Sequence, residues 1–142
     1  MNDRDLLEQF EDGSLPLKHW NHRTHVKISF LYLRDHPFSL ALAKMRRAIQ
    51  AYNAANNVPS SEFEGYNETT THAFMVLVST TMLAYQYLFP VSDADSFCEA
   101  HPQLMSKHVL RFFYSPERRK HPEAKTRFIE PDLAPLPELP AT

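Results

Sequence analysis

From Thr69 to Ser92 the chain carries no Asp, Glu, Lys or Arg. With Glu68 at its head, this stretch reads as one helix over about residues 67–89. A helix that is apolar on nearly all sides belongs in the middle of a bundle. The run is long enough to raise a membrane span. Yet it holds His72, Ser79, Gln86 and a series of threonines and has no flanking Lys or Arg, which argues for a protein core instead. Only two glycines occur in 142 residues. That leaves few of the tight turns that paired strands need, and no Gly cluster with which to cradle a phosphate or a dinucleotide. The expected fold is all-α: a single-domain, compact helical bundle over residues 1–142, built around the 67–89 helix, with a Pro-rich tail from about residue 131.

A chain of this length buries a substantial core without a disulfide or a structural metal. Fifteen basic residues face seventeen acidic ones, for a net charge of −2. No Lys/Arg stripe is present, so a nucleic-acid partner is not expected, and neither is a membrane. The lone Cys98 cannot form an intrachain disulfide and reads as a small core hydrophobe. The acidic, amphipathic start Met-Asn-Asp-Arg-Asp-Leu-Leu-Glu is unlike a signal peptide. The expected location is cytoplasmic. Oligomeric state is not set by these features.

Taken in order, residues 2–12 form a short helix with Leu6, Leu7 and Phe10 on one side, stopped by Gly13. Asn21 caps a second helix from about His22 to Asp35, ended by Pro37. At 100° per residue, His22, His25, Val26, Ser29 and Leu33 share one face of it, and Arg23, Lys27 and Arg34 lie opposite. A third helix spans about Ser39 to Ala55, with Lys44, Arg46 and Arg47 toward solvent. After the long apolar helix, Ser92 and Asp95 form a capping-box-like start to a helix ending near Ala100. Another helix covers Gln103 to Tyr114, Ser115-Pro116 opens a further turn, and a last short helix covers Pro122 to Phe128. Phe128, Ile129, Leu133 and Leu136 then strap the tail to the surface, with Arg127 and Asp132 as a pinning pair.

Two polar pairs fall on otherwise apolar faces. His22 and His25 are spaced i,i+3, which sets two imidazoles side by side. The helix N-terminus disfavours their protonation, and the neutral ring is the form that ligates a metal or acts as a base. Glu68 and His72 are spaced i,i+4 at the head of the central helix. Three histidines and a carboxylate suit a divalent cation such as Zn²⁺, Fe²⁺ or Mn²⁺. The expected metal ligands are His22 and His25, with Glu68 a third ligand or the general base and His72 an auxiliary ligand or acid/base. Trp20, Tyr66 and Thr69 are expected to wall the pocket. Each has a plainer reading: an acid in a first helical turn is favoured by the dipole alone, a lone inward histidine is commonly a satisfied core residue, aromatics before a helix act as staples, and threonines cap. His19, His36, His101 and His121 fall at helix ends or in loops and are expected to be solvated.

The chain also resembles a family of small bacterial all-helical proteins. The likeness is carried by Trp20-Asn21-His22-Arg23-Thr24-His25-Val26 with Tyr32-Leu33, by Tyr66-Asn67-Glu68-Thr69-Thr70-Thr71, and by Arg127-Phe128-Ile129-Glu130-Pro131-Asp132-Leu133-Ala134-Pro135-Leu136-Pro137. It spans nearly the whole chain and implies His22, His25 and Glu68 as site residues. The family pattern has histidine where Asn67 stands, and it implies no particular reaction.

These features support a metal-dependent enzyme acting on a small molecule where two helix N-termini meet. The alternative is a non-catalytic small-ligand-binding or interaction module with a buried His/Glu hydrogen-bond network. A plain helical scaffold is the third class.

Overall fold

The computed structural model describes residues 1–62 and 64–138. Within them lie six α-helices: α1 Asp3–Asp12, α2 His22–Asp35, α3 Phe38–Ala55, α4 Glu68–Tyr85, α5 Ala94–Ala100 and α6 Pro116–Arg119. Three 3₁₀ helices, Leu17–His19, Pro102–Leu104 and Lys107–Phe112, complete the regular structure, and the described residues hold no strand. No helix among them is long and apolar enough to cross a membrane.

Caps set most helix starts. The side chains of Asn2, Asn21, Asn67, Asp93 and Ser115 each accept from a backbone N–H in the first turn of the helix that follows, satisfying donors the helix itself cannot. Asp93 therefore starts α5, not the expected Ser92. Gly13 ends α1 at φ 81°, where a Cβ would also stand 2.9 Å from Ala55 Cβ. Both the dihedral and the close approach require glycine there.

Helix α2 runs between two apolar cores. Val26, Phe30 and Leu31 join α4 and α5 through Phe74, Val78, Phe97 and Cys98. Ile28 and Tyr32 join α1 and α3 through Phe10, Met45, Ile49 and Tyr52. α4 is buried along its first half, but it ends at Tyr85 instead of reaching Phe89, and Leu83, Tyr85, Tyr87, Leu88 and Phe89 are exposed.

The segment expected as one helix over Gln103–Tyr114 is two 3₁₀ turns that still bury Leu104 and Leu110. Residues 122–128, expected as a helix, are turns. They are held by the head of α4: Glu68 N–H donates to the Lys125 carbonyl at 3.0 Å and Thr69 N–H to the Ala124 carbonyl at 3.1 Å. The tail beyond is strapped as expected through buried Ile129, but Leu133 is exposed. The expected Arg127–Asp132 pair is replaced by two others: Arg127 pairs with Glu123 at 2.6 Å, and Asp132 accepts from the Ser115 hydroxyl at 2.6 Å.

Candidate functional site

The starts of α2 and α4 face each other across a pocket of about 250 Å³. Trp20, just ahead of α2, and His25 in its first turns form one wall; Tyr66, Asn67, Thr70 and Thr71 form the other, and Asn53 of α3 closes the side. Trp20 is held flat by Phe10, with centroids 4.6 Å apart, and lies almost parallel to His25 at 5.6 Å and 17°. Asn67, where the family pattern has histidine, is fixed by its capping role, its Oδ1 accepting from Thr70 N–H at 2.9 Å.

His25 is the chemically exceptional member. Its Nε2 is closed off from solvent and has no hydrogen-bond partner among the described residues. Leaving a buried polar atom unpaired costs about 1–3 kcal/mol. Burial, with His22 adding to it, pushes the imidazole down to about 4, so the ring is neutral at physiological pH. His22 is differently placed. Its Nε2–H donates to the Leu104 carbonyl at 2.8 Å, and its ring packs edge-on to Phe74 at 4.9 Å. Burial lowers its pKa as well, against the pull of the Leu104 carbonyl, with Lys107 lowering it further.

Glu68 lies elsewhere in the hydrogen-bond network. Arg46 binds it in a bidentate fork, Nε to Oε1 and Nη2 to Oε2, each at 2.7 Å. Tyr66 O–H donates to Oε1 at 2.5 Å. Burial works to raise the Glu68 carboxyl, but these bonds from Arg46 and Tyr66 outweigh it and hold the group below its ordinary value. His72 stacks on Phe128 at 4.0 Å, and burial lowers its pKa although Glu68 pulls the other way.

The proposed ligand set is therefore divided. His22 and His25 stand together with ring centroids 6.5 Å apart, His22 already spends its Nε2 on a carbonyl, and Glu68 spends both oxygens on Arg46 and Tyr66. Among the described residues no group of three or more His, Cys, Asp or Glu is placed to hold a metal ion. His22, His25 and Glu68 do not fit a metal centre in this arrangement, and Glu68 is not free to act as a base.

Trp20 and Tyr66 line this pocket. Thr69 does not share that role: it is buried, its one hydroxyl proton is shared between the Ala124 and Arg127 carbonyls at 2.7 and 2.9 Å, and its oxygen accepts from Ile129 N–H at 3.1 Å. Its neighbours Thr70 and Thr71 take the wall position. His101, expected in solvent, is 2 % exposed and packs on Phe97 at 4.8 Å.

Arg46 and Asn53 are the residues that the sequence reading missed. Arg46 was grouped with Lys44 and Arg47 on the solvated face, yet it follows Leu42 by four positions and precedes Ile49 by three, both of them buried. A residue at those offsets borders the core stripe, which is the signal that locates it. No family model, curated protein or solved structure matches the chain.

Proposed function

We propose that the protein binds a small molecule through an uncharged, planar ring seated in the pocket between the starts of α2 and α4. The observation that carries this reading is a pocket lined by Trp20, His25, Asn53, Tyr66, Asn67 and Thr70, with no Asp, Glu, Lys or Arg lining it among the described residues. A pocket with an apolar body and a few convergent polar groups is the ordinary form of a small-molecule site. Tyr66 offers a flat face for a ring, and Trp20, stacked on Phe10 and His25, adds apolar surface beside it. Asn53, Asn67, Thr70 and the neutral His25 offer both donors and acceptors. A charged ligand finds no counter-ion here and is disfavoured by desolvation. This is the binding-module reading of the sequence; the locked state of Glu68 weighs against a metal-dependent one.

Ligand-observed NMR tests it, with uracil, adenine and nicotinamide as neutral probes and orotate and nicotinate as charged analogues. The expected result is saturation transfer to at least one neutral probe, weaker transfer to its charged analogue, and loss of the signal in His25→Phe and Asn53→Ala. Failure of every neutral probe, or transfer unchanged in both variants, overturns the reading. Calorimetric titration with Zn²⁺, Mn²⁺ and anaerobic Fe²⁺ runs alongside. Stoichiometric binding that disappears in His25→Phe and in Glu68→Gln supports the metal-dependent reading in its place.

A further inference from the structure

A second concavity, of about 570 Å³, opens on the other side of Tyr66. Arg46, Lys125 and Arg127 line it with Glu68, and Tyr66 lines both this basin and the first pocket. Its electrostatics are the reverse of the first pocket's. Glu68 occupies only the Nε–Nη2 edge of Arg46, so the Nη1 amino group carries no carboxylate. The Lys125 ammonium donates to the Glu64 and Tyr66 carbonyls at 2.6 and 2.8 Å. These acceptors are uncharged, so its positive charge is not neutralised. Arg127 meets Glu123 in a pair whose side chains are both more than half exposed, an ion pair of little strength that a better anion displaces.

The basin owes nothing to the dipole of α4. The first N–H groups of that helix are taken by the Lys125 and Ala124 carbonyls and by the Asn67 side chain. What remains around one cavity is an ammonium and an exposed guanidinium beside the Arg46–Glu68 pair, three cations to one carboxylate. Guanidinium and ammonium groups at this density recognise an oxyanion, a phosphate or a carboxylate, through charge-assisted hydrogen bonds. The backbone ties of Lys125 hold the ammonium in place before a ligand arrives, which lowers the entropic cost of capture.

We infer that the basin lined by Arg46, Lys125 and Arg127 binds the oxyanion group of a ligand whose uncharged ring occupies the pocket on the far side of Tyr66. Only the ring half of this inference rests on the function proposed above; the anion half stands on the basin itself. The ligand class is a planar heterocycle carrying a phosphate or carboxylate on a short linker, of the kind a nucleoside monophosphate presents.

The test is calorimetry at matched ionic strength, since salt screens such contacts. The probes are uridine, uridine monophosphate, uridine 5′-carboxylate and inorganic phosphate. Uridine monophosphate or the carboxylate is expected to bind at least about tenfold more tightly than uridine, and which of them gains more identifies the oxyanion. Arg127→Gln, which leaves the Lys125 ties intact, is expected to remove most of that gain without changing uridine binding. The double variant Arg127→Gln/Lys125→Gln, checked for folding by circular dichroism, is expected to remove all of it. Equal affinity for uridine and both anionic forms, or a gain that survives the double variant, overturns the inference. Phosphate binding with no uridine binding upholds the basin and overturns only the ring half.

Discussion

Arg46 and Glu68 face each other with both ends of the guanidinium fork engaged, Nε on Oε1 and Nη2 on Oε2 at 2.7 Å. The pair joins α3 to the head of α4, and Tyr66 completes it from the preceding loop. The Glu68 side chain is 9 % exposed while that of Arg46 is 40 % exposed. The two partners are therefore unequal: losing Arg46 strands a buried carboxylate, whereas losing Glu68 frees a guanidinium that reaches water. Arg46→Met is expected to destabilise by about 1–3 kcal/mol, less than a fully buried pair because solvent reaches Arg46. Glu68→Gln is expected to cost less. Urea melts of the two variants at neutral pH give the comparison, and equal losses count against this account.

The same bonds set a pH dependence. The folded-state carboxyl of Glu68 lies below its ordinary value, so the unfolded chain protonates first as the pH falls. The stabilisation is complete above the ordinary carboxylate range and is lost as the pH drops through the folded value. Glu68→Gln is expected to flatten the acid limb of the stability curve, measured as midpoint denaturant concentration against pH. In Arg46→Met burial is opposed by the Tyr66 bond and His72 without the guanidinium, so the acid limb is expected to move to higher pH.

Thr69 pins the C-terminal segment with three side-chain hydrogen bonds, to Ala124, Arg127 and Ile129. Valine keeps the shape and removes the hydroxyl, leaving the Arg127 carbonyl and the buried Ile129 N–H short of a partner, while the Ala124 carbonyl keeps its bond from Thr69 N–H. Thr69→Val is expected to cost about 1–3 kcal/mol and to loosen residues 122–138 before the rest of the chain. Limited trypsin digestion reads this directly, since Lys125 and Arg127 lie in the segment. Cleavage there at wild-type rates sinks the prediction.

The helices were legible because capping and periodicity are local. Asn21 and the stop before Pro37 fix α2 to its observed bounds, and Gly13 closes α1. Residues 103–114 and 122–128 were not legible as turns: their apolar residues do not distinguish α-helix from 3₁₀ helix or irregular turn over so short a span, and long-range bonds decide, from the head of α4 to residues 124 and 125, and from His22 and Leu133 to the Leu104 and Phe113 carbonyls. The pocket between Trp20, His25 and Tyr66 was visible as inward polar residues at two helix starts. The partner of Glu68 was not, because Arg46 lies 22 positions away and no local pattern couples them. Absence of charge was also an imperfect sign of burial. It told correctly for the first half of α4 and wrongly for residues 83–89.

That last contrast has a measurable consequence. Val78 is 0 % exposed and Leu88 is 70 % exposed, although both belong to the same uncharged run. Val78→Ala is expected to cost about 1–3 kcal/mol through lost burial and packing, and Leu88→Ala to stay within about 0.5 kcal/mol. Comparable losses in thermal melts are evidence that the end of the run is covered in solution.

His25 offers the sharpest test of the pocket. Burial and the adjacent His22 hold its pKa at about 4, down from 6.5. Between those values the unfolded chain binds a proton that the folded chain refuses, so stability falls as the pH falls through that window. One proton gives a slope of at most about 1.4 kcal/mol per pH unit. His22, His72 and His101 are shifted in the same direction, so the wild-type slope contains their shares too. His25→Phe keeps a flat ring against Trp20 and removes the titrating group. It is expected to lower the slope between about pH 6.5 and pH 4 by most of one proton's worth, and to hold or raise stability at pH 7, because the partnerless Nε2 is gone. A His25→Phe variant that is less stable at pH 7 and keeps the wild-type slope means that Nε2 has a partner in solution and that His25 is not the neutral wall of the pocket described above.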